Sequence, residues 1–166
     1  MTKPVWQEQT LSTPDLHLAF YQAGNGPTVL FLHGGPGDDH QYMRPLAEPL
    51  TNHFHCVLYD QRGSGRSRLD RLEETTLHVN RFLEDIEALR IHLRQARLTL
   101  VGHSWGANLA LLYSASYPEH VERVVLIGLG PINDGMSAVA AANLRKPLSK
   151  EEREKLAAFL HNVGLH

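Results

Sequence analysis

Five residues, Gly102-His103-Ser104-Trp105-Gly106, constrain this chain more than any other stretch. They follow the apolar run Leu98-Thr99-Leu100-Val101 and open the segment 107–113, which reads as a helix. A strand that passes into a helix through so few residues must turn sharply, and a side chain at position 102 or 106 would crowd the turn. Such a turn lifts the Ser104 hydroxyl above the sheet edge, the geometry of a nucleophile elbow. Ser104 is therefore the candidate nucleophile.

The rest of the chain alternates strand and helix signals. Segments 5–11 and 16–22 alternate apolar and polar residues and read as two antiparallel strands, joined by a turn at Ser12-Thr13-Pro14-Asp15. Segments 28–32 and 54–59 are continuous apolar runs, as expected of strands buried on both faces. Segments 98–101 and 121–128 add two more strands. A short helix is expected at 38–50, against the resistance of Pro45 and Pro49. The clearest helix is 77–94, where Val79, Phe82, Leu83, Ile86, Leu89 and Leu93 share one face and Thr75 or Thr76 supplies the N-cap. A further helix spans 105–117. Alternation of this kind implies a parallel sheet with helices on both faces.

The character changes after residue 130. Segment 138–144 is alanine-rich and helical in pattern, and Ser149-Lys150-Glu151-Glu152 is a capping box that opens a helix to about 161. No apolar strand-like run follows Gly128. The expectation is an α/β core at 1–130, truncated after about the sixth strand, and the start of a helical cap at 131–166.

Composition narrows the function classes. The chain has 166 residues, 42% hydrophobic and 20% charged, the balance of a one-domain soluble protein. Its net charge of -2 makes no case for nucleic acid or an anionic membrane as partner. No segment approaches the ~20 apolar residues of a membrane span, and no signal peptide is evident. Eleven histidines are scattered without metal-type spacing, so neither a metal nor a cofactor is expected. The single Cys56 cannot form an internal disulfide and suits a cytoplasmic setting.

Two further motifs follow strands. His33-Gly34-Gly35-Pro36-Gly37 comes directly after segment 28–32. Acyl transfer through a serine needs N–H donors aimed at the developing oxyanion. Trp105, the residue after Ser104, is one candidate donor, and Gly35 or its neighbour Gly34 is the other. Asp60-Gln61-Arg62-Gly63-Ser64-Gly65-Arg66-Ser67 lacks the third glycine and following helix of a dinucleotide loop. Asp60 and Arg62 are expected to bond to the surrounding backbone and fix this loop near the site.

In this order the three motifs, at 33–37, 60–67 and 102–106, resemble the α/β-hydrolase superfamily and, within it, the proline iminopeptidase group. The resemblance runs from about Val5 to Gly130. It implies Ser104 as nucleophile, Trp105 with Gly34 and Gly35 as oxyanion hole, and release of an N-terminal proline from peptides through an acyl-serine. An esterase or lactonase of the same fold is the nearest alternative. Serine at 104, rather than aspartate, argues against the dehalogenases and epoxide hydrolases of this superfamily.

The base and acid are harder to find. The family order is serine, then acid, then histidine, with the last two normally on later strands. Asp134, after the sixth strand, is a possible acid, since some relatives place theirs there. His120 is expected at the surface, at the sheet end opposite Ser104. His161 and His166 are expected to be solvated, as are Glu151, Glu152 and Glu154. The resemblance gives His33 and His103 packing roles, and His40 precedes Ser104, which breaks the family order. Segment 121–128 is expected at the sheet edge, open to a complementing chain or to a second copy. A catalytically incomplete fragment that needs a partner segment, or a small-molecule binding module, are the competing readings.

Overall fold

A computed structural model describes residues 3–69, 73, 75–130 and 149. The chain divides into two compact units, Met1–Gly130 and Pro131–His166. The helices expected at 138–144 and after Ser149 lie outside the described residues, as does Asp134.

Six strands form one sheet: β1 (Gln7–Ser12), β2 (His17–Ala23), β3 (Thr28–Leu32), β4 (His55–Tyr59), β5 (Leu98–His103) and β6 (Val121–Ile127). Their order is β1-β2-β4-β3-β5-β6. β1 and β2 pair antiparallel, as do β2 and β4, while β4, β3, β5 and β6 run parallel. This is the mostly parallel sheet that the continuous apolar runs predict. Among the described residues β6 is the last strand on its side, with Val125 48% and Leu126 40% exposed.

Strand alternation divides the core into two layers. Leu30, Leu32, Leu98 and Leu100 face α2 (Val79–His92) and α3 (Trp105–Ser116), packing on Phe82, Ile86, Leu89, Leu109 and Tyr113. Val29, Phe31, Cys56, Leu58 and Val101 point the other way, onto Met43 and Ala47. Both faces of β3 are thus buried, and each such Leu or Phe side chain contributes about 1.5–3 kcal/mol.

Two helix expectations need correction. The segment 38–50 is not one helix. A single turn, α1 (Arg44–Ala47), lies between 3₁₀ turns at Gln41–Met43 and Glu48–Asn52. Pro45 and Pro49 each stand in a first turn, where the missing N–H is harmless, and neither permits the preceding helix to continue. The long helix starts at Val79, and its N-cap is His78, whose ring Nδ1 accepts from the Asn80 N–H at 3.3 Å. Thr76 is engaged upstream: its hydroxyl closes a turn on the Glu73 backbone, and its carbonyl accepts from Arg62.

Arg62 ties the glycine-rich loop to α2, to the β1–β2 turn and to the Thr76 carbonyl. It donates to both oxygens of Asp85 on α2, at 2.8 and 2.7 Å, and to Asp15 in the β1–β2 turn at 3.1 Å. These are chiefly side-chain partners, where the sequence suggested backbone. The Arg62 and Asp85 side chains are 1% and 3% exposed. Burial pushes the Asp85 carboxyl up to about 6 against the pull of Arg62, so the pair is still ionised at neutral pH. Removing Arg62 would strand a buried carboxylate. Arg62→Ala is expected to cost about 3–5 kcal/mol in urea unfolding at pH 7. A loss under about 1 kcal/mol would show that the pair does not fasten the loop.

No helix among the described residues is long and apolar enough to cross a membrane.

Candidate active site

β5 ends at His103 and α3 begins at Trp105, so the whole reversal falls on Ser104. Its backbone stands at φ 53° and ψ -117°, a conformation that costs a non-glycine residue about 1–3 kcal/mol. The turn is held from both sides. Ser104 N–H donates to Ile127 O on β6 at 2.9 Å, and Ser104 O accepts from the Ala107 and Asn108 N–H groups at 3.0 and 3.2 Å.

The flanking glycines are required by space. A Cβ on Gly106 would stand 2.1 Å from the Leu32 carbonyl oxygen, and one on Gly102 would stand 2.3 Å from the Gly106 oxygen. Backbone therefore meets backbone where α3 crosses the ends of β3 and β5.

Leu32 leads straight into the glycine loop, which brings Gly34 beside the turn. The Cβ position of Gly34 lies 3.2 Å from Ser104 Cβ and 3.3 Å from His103 Nδ1. Gly34 N–H donates to the Tyr42 hydroxyl. Gly35 stands at φ 118°, a conformation open to glycine, and its Cβ position faces Gly37 N at 2.7 Å. Trp105 is the first residue of α3, so its N–H has no partner within the helix. Its indole packs edge-on against Phe82, at 5.8 Å between centroids. Ser104, Trp105 and the Gly34–Gly35 loop thus meet at one end of the sheet.

The loop is set from beneath by His33, 1% exposed. The Gln61 N–H donates to His33 Nε2 at 3.0 Å, so the ring proton sits on Nδ1 and donates to Gly34 O at 2.7 Å. Gln61 also donates through its side-chain nitrogen to His33 O, at 2.6 Å. Asp60 fastens the next loop. Its carboxylate accepts from His40 N–H at 3.0 Å, His40 Nδ1 at 2.7 Å and Arg66 N–H at 3.0 Å. Burial works to raise the Asp60 pKa, but these hydrogen bonds outweigh it and hold the carboxyl below its ordinary range.

Two further candidates, His40 and His120, are engaged away from Ser104. His40 stacks on Tyr21 at 3.6 Å and is bound to Asp60, facing a cleft whose lining does not include Ser104. His120 lies past the far end of α3, about 18 Å of helix from Ser104. It is partly exposed there, as expected, but engaged: its Nδ1 pairs with Glu87 at 3.2 Å, and its ring stacks on Tyr117. Glu87 also accepts from Tyr113 at 2.6 Å, and its bonds with Arg90 hold its carboxyl down to about 2. His161, His166, Glu151, Glu152 and Glu154 lie outside the described residues. Among the described residues no group of three or more His, Cys, Asp or Glu side chains could hold a metal ion.

Sequence reasoning passed over Tyr42. Its hydroxyl bridges the Gly34 amide and His103 Nδ1, the latter at 3.0 Å. Nothing in the spacing of a lone tyrosine eight residues after Gly34 marks it.

Residues 27–163 match the family model described as the alpha/beta hydrolase fold. The chain belongs to the α/β-hydrolase family. A proline iminopeptidase of Xanthomonas citri is 41% identical over 130 residues, which take in 75% of this chain and 40% of the relative. Epoxide hydrolase 3 of Mus musculus is 36% identical over 118 residues, covering 71% of this chain and 32% of that one. The crystal structure of a proline iminopeptidase-related protein from Thermus thermophilus superposes with a TM-score of 0.71 at 23% identity. That superposition covers 96% of this chain and 67% of the other, and it shows the shared fold. This α/β hydrolase thus spans about two fifths, or less, of the two curated relatives.

Within the α/β-hydrolase frame, His33 is the joint between the glycine loop and the Asp60–Ser67 loop. Burial lowers its pKa from 6.5, despite the Gly34 carbonyl that favours the charged ring. At pH 6.5, where a free imidazole is half protonated, His33 is expected to be mainly neutral with its proton on Nδ1. Nitrogen-15 NMR of the histidine rings checks this, and a half-titrated His33 at that pH would contradict it.

Proposed function

We propose that this chain carries the nucleophile half of a serine hydrolase, and that the parent activity is proline iminopeptidase-like. Ser104 attacks the carbonyl of the N-terminal prolyl residue while a base takes its hydroxyl proton. The tetrahedral adduct then expels the peptide amine, which receives that proton, and water hydrolyses the resulting prolyl-Ser104 to release proline. The Trp105 N–H and the Gly35 N–H donate to the developing oxyanion. Gly34 holds the loop in place, since its own N–H is given to Tyr42. The observation that carries this reading is Ser104 on a strained turn, with Gly34 against its Cβ. The Xanthomonas citri relative supports the iminopeptidase class, and serine at 104 speaks against the epoxide-hydrolase class of the Mus musculus relative, as the family resemblance implies. The lone buried Cys56 suits a cytoplasmic setting.

Serine needs a base. Among the described residues no hydrogen bond joins the Ser104 hydroxyl to a histidine, and the base in this proposal is supplied by 131–166 or by a further segment. Asp134 is the candidate acid within the chain. A second reading is favoured by β6, the last strand on its side among the described residues. There a complementing polypeptide, or a second copy, adds a strand and brings the base.

A fluorophosphonate probe followed by mass spectrometry tests the proposal. Expected is a single adduct on Ser104, lost in Ser104→Ala. Turnover of a prolyl arylamide should fall more than about 10³-fold in the same variant. An adduct elsewhere would overturn the assignment of Ser104. No adduct on the folded chain would favour the complemented assembly.

A further inference from the structure

The Tyr42 hydroxyl stands where the two walls of the site meet. It accepts the Gly34 N–H from the glycine loop and lies 3.0 Å from Nδ1 of His103, the residue before Ser104. A Cβ on Gly34 would stand 2.9 Å from that hydroxyl, 3.2 Å from Ser104 Cβ and 3.3 Å from His103 Nδ1. Loop, nucleophile and phenol therefore crowd a single point. The ring meets His103 edge-on, with centroids 5.5 Å apart and planes at 72°. Neither the nucleophile nor the oxyanion donors account for Tyr42.

We infer that Tyr42 is a positioning residue that couples the oxyanion loop to the nucleophile turn. This rests on the serine-hydrolase reading above. Three consequences follow from the chemistry of the hydroxyl. First, by taking the Gly34 amide it removes that donor from the site and leaves Gly35 as the loop amide free to turn toward substrate. Second, while its oxygen accepts from Gly34, its own proton remains to be given to the His103 Nδ1 lone pair, and in that arrangement His103 is the Nε2–H tautomer. Third, one oxygen holds both strand ends, so the distance from the loop to Ser104 is set by a hydrogen-bonded bridge. Burial keeps the phenol above its ordinary pKa, so the donor proton stays in place across the neutral range.

The test is Tyr42→Phe, which keeps the ring and deletes the oxygen. At pH 8, nitrogen-15 NMR should show His103 as the Nε2–H tautomer in the parent chain and a mixture of tautomers in the variant. The Gly34 amide resonance should shift as it loses its acceptor. Fluorophosphonate labelling of Ser104 should slow about tenfold or more, because a misplacement of about 1 Å at a reacting centre costs up to about 10²-fold. Gly34→Ala, whose new methyl displaces the phenol tip, should release the same tautomer if Tyr42→Phe proves unfolded.

An unchanged His103 tautomer and an unchanged labelling rate in Tyr42→Phe would overturn the inference. A tautomer change with an unchanged labelling rate would also overturn it, leaving Tyr42 a merely structural contact. If the parent chain does not label at all, the hydrolase reading is what has failed for the chain alone. The tautomer and amide readouts then still decide whether Tyr42 bridges the loop and the turn.

Discussion

Everything at the Ser104 end of the molecule depends on how closely α3 approaches the sheet. The Gly106 Cα sits against the Leu32 carbonyl, with no room for a methyl group between them. Gly102 is pressed in the same way against the Gly106 oxygen. A wider separation would relieve the Ser104 backbone from φ 53° and lower its side chain toward the sheet edge. It would also draw Leu32, and with it the His33–Gly37 loop, away from the turn. The strain at Ser104 persists because the buried layers of Leu30, Leu32, Leu100 and Leu109 fix both elements that meet there.

A second tier of polar contacts carries this constraint outward. His33 passes it to the Gln61 loop, its ring held between the Gly34 carbonyl and the Gln61 N–H. Asp60 closes that loop over its own carboxylate, where a Cβ on Gly65 would come within 2.4 Å. Arg62 anchors the same loop to α2 and to the β1–β2 turn. Each of these groups is a buried polar side chain with partners supplied, so the three motifs form one connected unit at one end of the sheet.

Much of the fold is legible in the sequence because it is written as periodicity. The runs at 28–32 and 54–59, and the face Phe82, Leu83, Ile86, Leu89, announce elements whose burial the structure repeats. The close glycines are legible too, since a strand and a helix cannot be joined so tightly otherwise. What escapes are features set by partners distant in sequence. His78 rather than a threonine caps α2, because Thr76 is drawn into a turn and toward Arg62. The Arg62–Asp85 pair, the Glu87–His120 pair and the Tyr42 bridge join positions 23, 33 and 61 residues apart, and no local pattern encodes them. The region 38–50 fails in part because two prolines break the helix that its flanking residues would allow.

The closeness of α3 to β3 is the claim on which the rest stands, and the stability of Gly106→Ala tests it most directly. A helix interior ordinarily gains from Gly→Ala, by about 0.5–1 kcal/mol. Against a carbonyl oxygen 2.1 Å away, the added methyl forces the helix off the sheet. Equilibrium urea unfolding is therefore expected to show a loss of about 3 kcal/mol, the upper part of the usual range for overpacking. A variant as stable as the parent, or more stable, would contradict the close approach and with it the placement of Ser104.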